Sequence, residues 1–403
     1  MNQKSLRPDP VLSAALAAAL VCGLVIALHP SAPSTVHAAD KPAAAAPATP
    51  VSASWDRQAA ARYLDSRQVW WQSWDRTQKD HGTYCISCHT QAMYSLARPA
   101  LRQDLAEPAA AGAERAMIDS VEKRVHLWSQ YPTSQVLPFY DDEKYGKGKE
   151  IESRNAESVL NAVILSSYDQ CQGHLSPTTR LAFDNAWALQ STTGPDAGAW
   201  VWQNFNYTPW ESPESQYHWA ALFALTIART PDHYRDDPTI ASHLALLTNY
   251  LSSHYQAQPL LNKVVALWAA RSYPLLLTAD QRRDLIANLL RLQRADGGWS
   301  ASDLGDWERR DKTPLETRPD GYATGLITLV LEESADQKSA SQTDASIARG
   351  RAWLIANQDK STGAWTAWSL NKNRDLDNPI GKFMSDAATS YAVLALENNQ
   401  PAH

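Results

Sequence analysis

Glycine is scarce in this sequence, with 16 among 403 residues, and so are phenylalanine (5), methionine (4) and cysteine (4). So few glycines argue against an all-β fold of tight hairpins, whose turns need positive φ. Lys/Arg runs are missing and the formal charge is −6, so the electrostatic footprint of a nucleic-acid binder is absent and no nucleic-acid partner is expected. Tryptophan, by contrast, is abundant at 16 residues. Each indole is a large apolar surface with one N–H that needs an acceptor, so the fold uses this pairing repeatedly. With 44% hydrophobic and 20% charged residues the chain is globular, long enough for one large domain or two ordinary ones.

Lys4 and Arg7 precede an apolar run over 11–28 that stops at His29-Pro30, and Val36-His37-Ala38 has the small residues of a signal-peptidase site. Residues 1–38 therefore read as a secretory signal, with an uncleaved membrane anchor as the alternative. Residues 39–54, rich in Ala and Pro, read as a flexible linker. The expected location is the periplasm or another exported compartment. Cys85, Cys88 and Cys171 remain, and three thiols make a disulfide framework a poor explanation.

The segment Gly82-Thr83-Tyr84-Cys85-Ile86-Ser87-Cys88-His89-Thr90 contains C-x-x-C-H. In an exported protein this is the pattern of covalent c-type haem attachment. Two thiols three residues apart can add across two vinyl groups, and the next residue, His89, can ligate the iron. One haem c is therefore expected, held by Cys85, Cys88 and His89. A redox dithiol and a zinc site are the alternatives; the first lacks a surrounding βαβ pattern and the second lacks two nearby ligands. The sixth position is open to Met384, Met117, His81, His126, His218 or a vacancy; Met93, four residues after His89 on the same helix side, does not easily reach the opposite haem face.

Self-similarity decides the expected fold. A helical stretch ending in Gln, then a turn with Gly-Trp, recurs at Gln190 to Trp200, Gln293 to Trp299 and Gln358 to Trp365. Each is followed by a helix rich in small residues, aligned at Tyr217 to Leu225, Ala323 to Leu331 and Ala388 to Leu396. The rest of the chain fits the same grammar, giving six helix pairs over 55–101, 114–169, 176–228, 236–273, 278–334 and 343–398. The expectation is an all-α fold, an α6/α6 toroid over 55–398, with small-residue helices inside and longer amphipathic helices outside. An open solenoid of the same hairpins is the alternative.

Gln293-x-x-Asp296-Gly297-Gly298-Trp299 resembles the QW-type repeat of terpenoid cyclases and of the β subunits of protein prenyltransferases. That resemblance implies an α/α toroid in which Gln293, Trp299, Gln358 and Trp365 are structural. The chemistry of those families does not come with it: the DxDD acid motif is missing, and the zinc ligands of prenyltransferases have no match. Asp320, Asp386 and His218 are the catalytic candidates, with an N-cap as the plainer role for both aspartates. A haem-free cyclase-like enzyme is one alternative function. A carbohydrate-active or scaffold toroid is another, resting on Trp200, Trp202, Trp210, Glu211 and Glu214 as an aromatic-carboxylate cluster.

Aligning Thr90 with Thr324 and Thr389 puts C-x-x-C-H at the mouth of the ring, where the N-termini of inner helices favour an anion. Ring closure then brings Met384 near Cys85, making it the distal candidate. A polar cavity wall of Arg154, Glu157, His218, Asn262, Lys263, Asp320 and Asp386 is expected. The function read from these features is periplasmic electron transfer or redox chemistry at the cavity mouth, with a redox partner protein and a small molecule in the cavity as partners.

Overall fold

A computed structural model describes residues 54–130, 136–334 and 340–397. The signal or anchor segment and nearly all of the linker lie outside the described residues. Those residues form helices and loops: α1 (Arg57–Ser73), α2 (Gln91–Asp104), α3 (Gly112–Leu127), α4 (Asp142–Tyr145), α5 (Lys149–Gln172), α6 (Pro177–Trp187), α7 (Ser215–Arg229), α8 (Ala241–His254), α9 (Leu260–Ala270), α10 (Ala279–Leu292), α11 (Gly321–Ser334), α12 (Ala340–Asn357) and α13 (Phe383–Glu397). None of the described helices is long and apolar enough to cross a membrane.

Local chemistry sets several starts. Asp56 accepts from the Ala59 amide, Ser176 caps α6 ahead of Pro177, and Thr278 with Gln281 forms a reciprocal capping box on α10. Side-chain distribution then sorts the helices into two layers. In α10 only Leu285 and Leu289 are buried, the stripe of a surface helix, whereas α11 is buried continuously from Gly321 to Leu331.

The buried layer closes on itself. α2 packs on α5, α5 on α7, α7 on α9, α9 on α11, α11 on α13, and α13 returns to α2. α1, α3, α6, α8, α10 and α12 lie outside this ring, each against its inner neighbours. The molecule is therefore an α6/α6 toroid, not an open solenoid. One expectation is corrected: the longest helix, α5, is an inner one, and outer α6 has only 11 residues. Length does not assign the layer; burial on all sides does.

The repeated Gln and Trp supply the joints. Trp200, Trp299 and Trp365 are fully buried, and each indole N–H donates to a carbonyl near the end of the preceding outer helix, at Ala186, Leu289 and Leu354. Gln190, Gln293 and Gln358 each donate to the glycine carbonyl of their own turn and to a carbonyl in or just before the next outer helix, at His243, Ser346 and Asp56. The last of these joins repeat six to repeat one. Gly363 in that turn has φ +82°, and a Cβ there would stand 2.2 Å from the Ala59 carbonyl carbon, so only glycine lets α1 approach.

Candidate functional site

The C-x-x-C-H segment lies on a clamped turn leading into α2. The Cys85 amide donates to Thr77 O (2.8 Å), and Trp71 Nε1 donates to Cys85 O (2.8 Å). Ser87 Oγ accepts from the Thr90 and Gln91 amides (3.2 and 3.1 Å), while Gln91 Oε1 accepts from the Ser87 amide (3.1 Å). Both thiols are free and buried, at 9% and 4% exposure. Burial pushes the Cys85 thiol up to about 12 and the Cys88 thiol well above its usual range. A redox dithiol works through a depressed thiol pKa, so these surroundings disfavour that alternative.

His89 is half-buried in an aromatic collar. Phe383 stacks on it at 3.8 Å between ring centres, with Trp71 at 5.4 Å and Trp210 at 5.7 Å. Burial, with Arg67 and Arg374 nearby, holds the imidazole neutral, far below its ordinary range. Its Nδ1 lies 2.9 Å from Thr90 Oγ1, and none of the described residues hydrogen-bonds to Nε2. Neutral imidazole with one nitrogen anchored and the other bare is the form that ligates a metal.

The same mouth carries charge of both signs. Arg374 is held below its usual pKa by burial, and its Nη2 donates to Asn371 Oδ1 (3.0 Å). Glu211 is pushed up to about 7 by burial, with Arg374 and then Lys149 pulling it back. The Tyr140 hydroxyl is also raised, by burial first and then by the nearby Glu211 and the two thiols.

Asp320 and Asp386, expected in equivalent roles, are not equivalent. Asp320 caps α11: Oδ1 accepts from the Ala323 amide (2.9 Å) and Oδ2 from the Ala301 amide (2.6 Å). Burial pushes it up to about 7 against those bonds. Asp386 is not a cap. Asp320 stands four residues before Thr324, but Asp386 stands only three before Thr389, so it lies inside α13, in the place of Gly321. Ser385 takes the corresponding place instead and accepts from the Ala367 amide (3.1 Å). One position along a helix turns a side chain by about 100°. Asp386 thereby meets Arg67 Nε (2.7 Å), Arg67 Nη2 (3.0 Å), the Tyr63 hydroxyl (2.9 Å) and the Thr90 hydroxyl (2.7 Å). Burial raises its pKa, and Arg67, Thr90 and Tyr63 oppose this. Sequence reasoning missed Tyr63 and Arg67, although their i, i+4 spacing with Trp71 put an arginine on the buried face of α1.

His218 is buried on α7, with Nδ1 3.3 Å from Asn262 Oδ1 and Nε2 without a partner among the described residues; burial lowers it to about 4. Met384 is buried near the start of α13, and Phe383, one residue earlier, is the side chain that covers His89. Met93 and Met117 are buried, and His126 lies 3.2 Å from Thr178 Oγ1. The aromatic-carboxylate cluster is corrected: Trp200, Trp202 and Trp210 are buried, with Trp202 stacked on Trp219 and donating to Trp210 O, so they offer no open sugar platform. The polar cavity wall is corrected too. Glu157 is spent on Arg124, Lys263 lies over Tyr255, and Arg154 over Trp128. A cavity of about 180 Å³ lies at the C-terminal ends of the inner helices, lined by Leu96, Val163, Leu222, Leu225, Trp268 and Leu394 among others, and none of the expected wall residues lines it. Its walls are mostly apolar, and a wider hollow beside it is lined by Arg229, Arg271, Glu332, Glu333 and Glu397.

Among the described residues no group of three His, Cys, Asp or Glu side chains is arranged to hold a metal ion. Haem attachment does not require one, since the thiols bond to carbon and only the histidine meets iron. No protein-family model matches the chain, and no curated protein matches it. Among solved structures, a possible member of the GH105 family from Salmonella enterica serovar Paratyphi A is similar at a TM-score of 0.33 and 10% identity, over 88% of this chain and 95% of that one.

Proposed function

We propose that this chain is an exported c-type haem protein built on an α/α toroid, serving electron transfer or redox chemistry at the ring mouth. One observation carries the reading: His89, directly after two free thiols on a clamped turn, is neutral, anchored through Nδ1 and bare at Nε2. The donor set fits the group. Cys85 and Cys88 would hold it by thioether bonds and His89 Nε2 would ligate the iron, while Arg374 and Lys149 would attract its carboxylates. Bound there, the group would supply one-electron exchange. Trp71, Trp210 and Phe383, which collar His89, would exclude water from its side of the group and lower the local dielectric there. Met384 is the proposed distal residue, a periplasmic protein the redox partner, and the apolar cavity the place for a small molecule.

The test is expression of the full chain in a host with cytochrome c maturation, read by a reduced-minus-oxidised visible spectrum and a haem stain of a denaturing gel. A sharp α band with stain at the mass of the chain is expected, lost in the Cys85→Ser/Cys88→Ser variant. A stain-negative, folded wild type would overturn the reading and leave the carbohydrate-active or scaffold toroid.

A further inference from the structure

Four donors converge on one buried carboxylate next to His89, and the hydrogen positions follow by elimination. Arg67 gives Asp386 two N–H bonds and Tyr63 gives an O–H. An arginine stays charged, so Asp386 beside it is a carboxylate and can only accept. Thr90, 2.7 Å away, must therefore spend its single hydrogen on Asp386 Oδ2, a length typical of O–H···O⁻ bonds. That leaves the Thr90 oxygen only its lone pairs for His89 Nδ1 at 2.9 Å, so Nδ1 carries the proton and Nε2 is the basic nitrogen.

The comparison with other repeats separates this from ordinary packing. Thr324 and Thr389, at the position of Thr90, use their hydroxyls on the amides of Trp299 and Trp365, bracing the Gly-Trp turn. Repeat one has C-x-x-C-H in place of that turn, and Thr90 is redirected to His89 and Asp386. Resting on the haem reading above, we propose that Asp386, acting through Thr90, is a positioning residue that fixes the tautomer and plane of His89 and lowers the reduction potential of the iron it ligates. An anion behind a ligating histidine makes that ligand a stronger electron donor and so favours the ferric form. The carboxylate comes from α13 and the histidine from the turn before α2, so ring closure assembles the relay.

Thr90→Val removes the relay and leaves the Arg67–Asp386 pair in place. Potentiometric titration of the haem-loaded full chain should show the ferric/ferrous equilibrium moved roughly tenfold toward ferrous, a potential rise of about 59 mV. Thr90→Ser should restore the wild-type value, because it keeps the hydroxyl; Thr90→Ala replaces the valine variant if the latter does not fold. Stained protein with an unchanged potential in the valine or alanine variant would overturn the relay and leave the haem reading standing. A stain-negative wild type would overturn both.

Discussion

Replacing Gln358 with Ala removes one of the polar clamps between the last repeat and the first, leaving the Asp386 network in place. The side chain is 3% exposed and makes three bonds: it accepts from the Asp56 amide (2.7 Å) and donates to Asp56 O (2.9 Å) and Gly363 O (3.0 Å). Asp56 O keeps a second partner in the Ala60 amide, and Asp56 is exposed to water, so two of the three losses are softened. The Gly363 carbonyl, inside its turn, is not. At about 1 kcal/mol per net bond, with a surcharge for the stranded carbonyl, the cost is about 3 kcal/mol. The loss falls where α1 docks on α13, so it should also loosen α1 locally. Urea unfolding with amide hydrogen exchange checks both: the midpoint falls, and protection drops in Arg57–Ser73 more than in α7. A cost below about 1 kcal/mol with α1 protection unchanged would refute the view that this glutamine carries ring closure.

Two further outcomes follow from buried groups. His218 is lowered to about 4 by burial, while its unfolded-state value is near 6.5; a base with a depressed folded pKa contributes stability that is intact above the unfolded value and is lost as pH falls from about 6.5 to about 4. His218→Gln should therefore flatten that acid-side loss by about 2 kcal/mol in unfolding measured at pH 6.5 and 4.5, and an unchanged slope would contradict it. Gly363→Ala and Gly194→Ala share a positive φ, +82° and +81°, but only Gly363 faces the α1 backbone, so thermal melts should show about 1 kcal/mol lost at Gly194 and several times that at Gly363.

The helices and their pairing were legible because their signals are local. An apolar period, a capping residue, and Gln followed by Gly-Trp each act within one or two turns of chain, and all six hairpins are where these signals put them. The N-cap role of Asp320 was legible for the same reason. Asp386 was misread because its meaning depends on a one-residue change of register relative to Thr389, which no local rule weighs. The sugar platform failed because abundance of Trp does not say which face of an indole is open: Trp200 and Trp202 are core.

Sequence was enough for the helical hairpins, the spacing of Cys85, Cys88 and His89, and the joints at Gln293 and Gln358, since each rests on covalent neighbours or repeat period. Closure of the ring was needed for the rest. It sets α13 against α1 and α2, so a carboxylate nearly 300 residues from His89 in the chain can meet Arg67, Tyr63 and Thr90. It also sets a small, mostly apolar cavity at the far mouth beside a wider hollow lined by Arg229, Arg271, Glu332, Glu333 and Glu397. Burial, which exists only once the ring has closed, raises the two thiols and Glu211 and lowers His89, giving a short motif its chemical state.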